Sequence, residues 1–68
     1  MQYLLVKFRE DRKVVVDDHL LGATNQVIEL EEGVHSISLA EPYDFYPDKC
    51  RVLVVDSTVV NPVVVEFT

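Results

Sequence analysis

Apolar and polar residues alternate along most of this chain, a pattern typical of half-buried β-strands. Between Gln2 and Phe8 every second side chain from Leu4 onward is apolar, so one face of this segment is expected to be buried. The same alternation, or a continuous apolar run, predicts five further strands, at residues 13–17, 24–30, 34–39, 50–55 and 59–67. Apolar residues recur at helical spacing over no more than two turns. The pattern therefore predicts an all-β fold.

Polar and turn-forming residues separate the predicted strands. A polar turn at residues 9–12 predicts that the first two strands form an antiparallel hairpin, and residues 17–22 are expected to form a loop. Gly33 follows two glutamates and is expected to supply a positive φ to a tight reversal. Pro62 lies within the last strand, where it indicates a bulge or a sheet edge, because proline has no N–H to donate to a neighbouring strand.

Length and composition fit one small β-sandwich. A chain of 68 residues has room for a single domain, spanning residues 1–68. The turn spacing predicts an antiparallel β-sandwich of about six to seven strands. Hydrophobic residues make up 49% of the chain and 14 residues are valine, whose branched side chain packs well on a pleated sheet. Because so small a domain buries only about 60% of its unfolded surface, the high apolar content also favours self-association.

Charge is distributed unevenly and argues against nucleic acid as a partner. The net charge is −6, and residues 17–48 carry eight acidic residues with no lysine or arginine. Most of the basic residues fall in residues 1–16, where Lys7, Arg9, Arg12 and Lys13 oppose two acids. A nucleic-acid binder needs a broader basic surface than this one turn offers. The acidic middle is expected to be a solvated face, with a basic partner or a cation as the alternative.

The first residues and the single cysteine bear on the compartment. The N-terminal segment lacks the basic leader and long apolar core of a secretory signal, and no apolar run approaches the ~20 residues that span a bilayer. Cys50 has no second cysteine to pair with, which favours a reducing compartment. We expect a cytoplasmic protein without membrane insertion if the chain is complete, and an extracytoplasmic one if it is a fragment of a longer exported protein.

Part of the sequence resembles the PEGA domain family. That family has a valine-rich strand ending in Asp-Gly, a Gly-x-Thr-Pro loop, the pattern Leu-x-x-Gly-x-His before an alternating strand, and a Gly-Tyr. The matching residues here are Val14, Val16, Asp17, Gly22, Thr24, Leu30, Gly33, His35, Ile37, Leu39 and Tyr43. The resemblance covers roughly residues 13–67, and three positions depart from the family's glycine, proline and glycine: Asp18, Asn25 and Pro42. It implies a transthyretin-like or carboxypeptidase-regulatory-like β-sandwich and a non-catalytic module.

The segment from Glu41 to Lys49, called the 41–49 loop below, carries the best candidate recognition residues. Its aromatic and acidic side chains interleave: Tyr43, Asp44, Phe45, Tyr46 and Asp48. Aromatic rings supply contact area at low entropy cost, and carboxylates orient polar groups such as sugar hydroxyls or basic side chains. Alternation predicts that Tyr43 and Phe45 share one face and Tyr46 takes the other. The alternative role for one or two of these rings is to close the open end of the sandwich.

Two other clusters are weaker candidates for chemistry. Asp17, Asp18 and His19 offer oxygen and imidazole ligands to a metal ion, but three consecutive residues of a strand cannot all face one point. Cys50 and His35 would form a catalytic pair if their strands adjoin, but no glycine-rich nucleophile turn lies near Cys50. We therefore expect no metal, no cofactor and no enzymatic activity.

Taken together, these features predict an interaction module as the first hypothesis. Such a module would bind another protein, or a second copy of itself as a homodimer, through the 41–49 loop or through an exposed strand edge at residues 59–65. A ligand-binding module for carbohydrate or a divalent cation is the alternative. A cysteine-dependent enzyme is the third hypothesis.

Overall fold

Seven β-strands and no helix make up the computed structural model, which describes all 68 residues. The strands are β1 (Gln2–Lys7), β2 (Lys13–Val16), β3 (His19–Ala23), β4 (Val27–Leu30), β5 (Gly33–Leu39), β6 (Cys50–Val54) and β7 (Val63–Glu66). They form a three-stranded sheet of order β4-β1-β7 and a four-stranded sheet of order β3-β2-β5-β6. The predicted small all-β sandwich is confirmed. The chain contains no helix that could cross a membrane.

The two sheets share one apolar core. It comprises 12 buried hydrophobic residues: Leu4, Val6, Phe8, Val14, Val16, Ile28, Leu30, Ile37, Leu39, Val54, Val65 and Phe67. Every strand except β3 contributes to this cluster, and the contributing residues alternate along β1, β2, β4 and β5 as the sequence pattern predicts. Two polar residues, Arg12 and Thr24, are also buried.

The predicted hairpin between the first two strands is wrong. β1 pairs with β4 and β7, whereas β2 pairs with β3 and β5 in the other sheet. The polar turn at residues 9–12 carries the chain from one sheet to the other. Alternation cannot reveal this difference, because both strands bury every second residue in either arrangement. One pairing is also parallel, that of β1 with β7, so the sandwich is not antiparallel throughout.

The predicted loop at residues 17–22 is also wrong, because most of it forms β3. Asp17 and Asp18 alone make the turn, and Val16 pairs with His19 directly across it. Both aspartates have positive φ, 50° and 69°, as tight two-residue hairpin turns require. Aspartate tolerates this conformation because its short side chain can hydrogen-bond locally. The alternation rule missed β3 because four of its five residues are exposed.

Two turn predictions made from glycine and proline are confirmed. Gly33 has a φ of 134° at the reversal that leads into β5. Pro62 immediately precedes β7, which is an edge strand of the three-stranded sheet. The last strand is shorter than predicted, because residues 58–61 form a tight turn closed by an isolated bridge.

Candidate functional site

The 41–49 loop connects β5 to β6 and is anchored in the core by one aromatic ring. Phe45 is half-buried and packs edge-on against Phe8 and Phe67, with ring centroids 6.3 and 5.6 Å apart. Both partners belong to the core cluster. Phe45 therefore takes the role of a ring that closes the end of the sandwich.

A buried arginine fixes the backbone of the same loop. The side chain of Arg12 is only 7% exposed. Its guanidinium donates to the carbonyls of Pro42 at 2.6 Å and Ala40 at 3.3 Å, and to the Asp44 carboxylate at 3.1 Å. A second nitrogen donates to the Glu10 carboxylate at 3.0 Å. Because the guanidinium carries five donors in fixed directions, these contacts together hold the loop in one position.

Asp44 lies between two arginines. Arg9 and Arg12 each donate to one oxygen of its carboxylate, at 3.0 and 3.1 Å. Both guanidiniums also lie over the Phe8 ring, 4.5 and 5.2 Å from its centroid. The hydrogen bond from Arg12 lowers the pKa of Asp44, and hydrogen bonds to Glu10 and then Asp44 raise the pKa of Arg12. Asp44 is thus an ionised contact within the protein, and its oxygens are already engaged.

Two tyrosines remain exposed on this fixed loop. Tyr43 and Tyr46 are each 75% exposed. The backbone of Tyr46 pairs with that of Thr68, through N–H to carbonyl bonds of 2.8 and 2.9 Å. The Tyr43 ring contacts Phe45 edge-on, with centroids 6.0 Å apart. Both rings therefore reach into solvent from backbone that is held in place.

Tyr43 also borders a polar groove on the outer face of the four-stranded sheet. The groove has a volume of about 170 Å³ and is shared by strand residues such as Ser36 and Ser38. A neighbouring hollow of about 380 Å³ shares Ser36 and Lys49 with it. Asp48 lies nearby with an exposed side chain, and its carbonyl accepts a hydrogen bond of 2.7 Å from the Ser38 hydroxyl.

The metal candidates of the turn after β2 do not converge on one point. One oxygen of Asp17 accepts a hydrogen bond of 2.9 Å from the Ser36 N–H, and the other lies 2.6 Å from Nδ1 of His35. The Ser36 N–H and then His35 lower the pKa of Asp17. Asp18 and His19 are exposed, and no group of three His, Cys, Asp or Glu side chains is arranged to hold a metal ion.

His35 is held by two acceptors and does not meet Cys50. Its Nδ1 contacts Asp17, and its Nε2 lies 2.7 Å from the carbonyl of Glu31. The hydrogen bond with Asp17 raises the pKa of His35, against the opposing effect of partial burial. Cys50 of β6 pairs with Ile37 of β5, two positions along that strand from His35. Cys50 packs against the core, and the only hydrogen-bond contact of its sulfur is with the Arg51 carbonyl at 4.0 Å. Neither ring nitrogen is free to activate the thiol.

The free edge of β7 is closed at both ends. The N–H of Phe67 donates to the carbonyl of Lys7, so alternation directs the backbone groups of Val64 and Glu66 away from β1. Pro62, before the strand, has no N–H to offer. At the other end, the backbone of Thr68 pairs with that of Tyr46 in the 41–49 loop and so covers the edge.

Two buried polar residues were missed by reasoning from the sequence. Thr24 is fully buried, and its hydroxyl accepts from the Arg12 N–H and donates to the Glu10 carbonyl, both at 2.8 Å. The Gly-x-Thr pattern marks this position and could have found it. Arg12 carries no comparable signal, because three of the four partners of its side chain lie at residues 40–44, far along the chain.

Comparisons of this chain with protein-family models, with curated proteins and with solved structures give no match. The features of the structure that bear on its function are the fixed 41–49 loop, the exposed tyrosines and the edges of the two sheets.

Proposed function

We propose that this chain is a non-catalytic interaction module that binds another protein through Tyr43 and Tyr46. The observation that carries the proposal is the combination of a fixed loop with exposed rings. Arg12 and Phe45 hold the loop, while each tyrosine is 75% exposed. A ring presented from ordered backbone loses little conformational entropy on binding, and tyrosine is one of the residues that dominate protein interfaces.

The absence of catalytic activity in this proposal is supported by how the candidate groups are engaged. Both ring nitrogens of His35 have acceptor partners, so the Cys50 thiol has no base beside it. The resemblance to the PEGA family supports the same interpretation. Asp18, which stands where that family has glycine, has a φ of 69°, a conformation that glycine adopts readily. We further propose a cytoplasmic location if the chain is complete, which is supported by Cys50 having no second cysteine to pair with; an extracytoplasmic location is the alternative for a fragment of a longer exported protein.

A partner bound at the loop is favoured over a second copy bound at the edge of β7. The outward backbone groups of that edge are limited to Val64 and Glu66. A strand added there would also be blocked at both ends, by Pro62, which has no N–H, and by the backbone pairing of Thr68 with Tyr46. Homodimerisation through residues 59–65 therefore has less support than contact through the two tyrosines.

Quantitative affinity capture from cells that naturally make the protein tests this proposal. The wild type is compared with the double variant Tyr43→Ala/Tyr46→Ala, which removes exposed rings and is expected to stay folded. A matched control, Val59→Ala/Val60→Ala, removes an exposed apolar pair from the turn before β7, at the other end of β6. We expect the amount of captured partner protein to fall at least about tenfold with the tyrosine variant and to stay unchanged with the control, which corresponds to a loss of ~1.4 kcal/mol in binding free energy. Equal recovery with both variants would contradict the proposal.

Carbohydrate binding is a second candidate, favoured by the groove beside Tyr43. Its lining combines an aromatic ring with the hydroxyl-bearing residues Ser36 and Ser38 and with Lys49, a set that suits sugar hydroxyls. Calorimetric titration with a panel of glycans tests it, and Ca²⁺ in the same titration tests the divalent-cation alternative. Heat from a glycan that disappears in Tyr43→Ala would support this candidate, and silence across the panel would remove it.

A further inference from the structure

The outer edge of the four-stranded sheet is open along β6. β6 pairs only with β5, and Arg51 lies opposite Ser36. The backbone of Ser36 is bonded toward β2, because its carbonyl accepts from the Asp17 N–H and its own N–H donates to the Asp17 carboxylate. In an antiparallel pair the N–H and C=O of one residue point to the same side, so those of Arg51 point away from β5. By the same alternation, Leu53 also directs its backbone groups outward.

The side chains along this edge combine positive charge with apolar surface. Lys49 and Arg51 are two positions apart, so they share the outer face, and both are exposed. They are the only lysine or arginine residues after Lys13, and neither takes part in a salt bridge. Leu53 lies on the same face and pairs with Val34 of the neighbouring strand β5, and the side chains of Leu53 and Val34 are 57% and 55% exposed.

We propose that the open edge of β6 binds an extended acidic segment of a partner protein as an added strand. The backbone groups of Arg51 and Leu53 would hydrogen-bond the segment. Its alternate side chains would place carboxylates opposite Lys49 and Arg51 and an apolar group opposite Leu53. This surface does not include the two tyrosines, although Lys49 also lines the groove that Tyr43 borders.

Charge selects this occupant over a second copy of the chain. Antiparallel pairing of two β6 strands would bring two copies of Lys49 and two of Arg51 onto one face, where like charges oppose each other. The net charge is −6, and residues 17–48 carry eight acidic residues without lysine or arginine, so that part of the chain repels an acidic segment. Two acids lie near this edge: Asp17 is already paired with His35, whereas Asp18 lines the same hollow as Lys49 and weakens the attraction.

A synthetic peptide tests the proposal directly. The probe is acetyl-Val-Thr-Glu-Thr-Glu-amide, which places valine opposite Leu53 and the glutamates opposite Arg51 and Lys49 when it runs antiparallel to β6. Binding is followed by NMR titration and by amide hydrogen exchange. We expect the Arg51 and Leu53 amides to gain protection, while the Val52 amide, already directed toward β5, changes little. Raising the ionic strength from about 0.01 to about 0.15 M shortens the Debye length from ~30 to ~8 Å and is expected to weaken binding.

Matched peptides and variants separate charge from backbone pairing. A peptide with lysine in place of both glutamates is expected to bind at least about tenfold more weakly. N-methylation of the central glutamate removes an N–H that faces the edge and is expected to abolish binding. Arg51→Glu is expected to reverse the preference between the two peptides, whereas Lys7→Glu, an equally exposed change in the other sheet, is expected to leave it unchanged.

Three outcomes would overturn the proposal. These are equal binding of the lysine peptide, unchanged exchange of the Arg51 and Leu53 amides, and concentration-dependent protection of those amides without peptide, which would assign the edge to a second copy. The Tyr43→Ala/Tyr46→Ala variant is expected to bind the peptide as the wild type does. Failure of this proposal and failure of the proposed function are therefore distinguishable.

Discussion

The hydroxyl of Thr24 offers a sharp test of what stabilises this small domain. Thr24 is fully buried, and its Oγ1 accepts a hydrogen bond from the Arg12 N–H and donates one to the Glu10 carbonyl, both at 2.8 Å. Thr24→Val replaces this hydroxyl with a methyl group of similar size and leaves the shape of the core almost unchanged. Thr24→Ser makes the complementary change, because it keeps the hydroxyl and removes the methyl group.

The two substitutions are expected to differ in magnitude. Thr24→Val leaves the buried Arg12 N–H without an acceptor, which costs about 1–3 kcal/mol, and removes a second hydrogen bond worth about 1 kcal/mol. The Glu10 carbonyl keeps only a long contact of 3.4 Å from the Asn25 amide. We therefore expect Thr24→Val to lower the free energy of unfolding by about 2–4 kcal/mol. Thr24→Ser loses one buried methyl group, which costs about 1 kcal/mol.

Urea and thermal unfolding followed by far-UV circular dichroism measure this difference. For a domain of this size, each kcal/mol lowers Tm by about 4–8 °C, so Thr24→Val is expected to lower it by about 8–32 °C. The m-value is expected to stay constant, since both variants expose the same surface on unfolding. If Thr24→Ser were as destabilising as Thr24→Val, the methyl contact rather than the hydroxyl would carry the stabilisation, and the reasoning would be refuted.

Three further predictions concern the His35 pair, a glycine and the loop. The pKa of His35 is raised in the folded state, so His35 stabilises the fold below pH 6.5, its ordinary pKa, and this stabilisation is lost as pH rises through the folded-state pKa. The pKa of Asp17 is lowered in the folded state, so Asp17 stabilises the fold above pH 3.8, its ordinary pKa, and this stabilisation is lost as pH falls through the folded-state pKa. The urea concentration at the midpoint of unfolding is therefore expected to be highest between pH 3.8 and 6.5, and the substitution His35→Asn is expected to reduce the loss of stability above that range. Gly22→Ala is expected to cost more than about 1–2 kcal/mol by urea unfolding, because Gly22 has a φ of 77° and an added Cβ would lie 2.8 Å from a core isoleucine. Asp44→Asn is expected to speed amide exchange in the 41–49 loop, whereas the control Asp48→Asn, whose carboxylate makes no hydrogen bond, is not; equal rates would contradict the anchoring role of Asp44.

The strands could be recognised from the sequence, but their partners could not. Burial of Leu4, Val6 and Phe8 follows from alternation alone, because side chains in a strand point to opposite faces in turn. The same alternation is compatible with several pairings, and it led to a hairpin between β1 and β2 that does not form. Exposed β3 gave no alternation at all, and the two aspartates of its turn gave no glycine signal.

For the candidate site, too, the sequence identified the segment, and only the tertiary structure determined the contacts that its residues make. Its aromatic residues stood out in the sequence because two prolines exclude a central strand there. Which ring is buried and which is exposed depended on contacts with Phe8 and Phe67, at the far ends of the chain. The anchoring of the loop by Arg12 also depended on partners far along the chain. Sequence spacing carries no information on such contacts.

What the sequence by itself determined is the all-β class, the inward face of most strands, and the segment most suited to recognition. These properties are local, since they follow from side-chain alternation, turn residues and proline chemistry within a few positions. Only the tertiary structure decided that Phe45 closes the core while Tyr43 and Tyr46 stay exposed, and that the edge of β6 is open while that of β7 is closed at both ends. Those properties depend on which distant segments meet, and that is set by the packing of two sheets around one shared core.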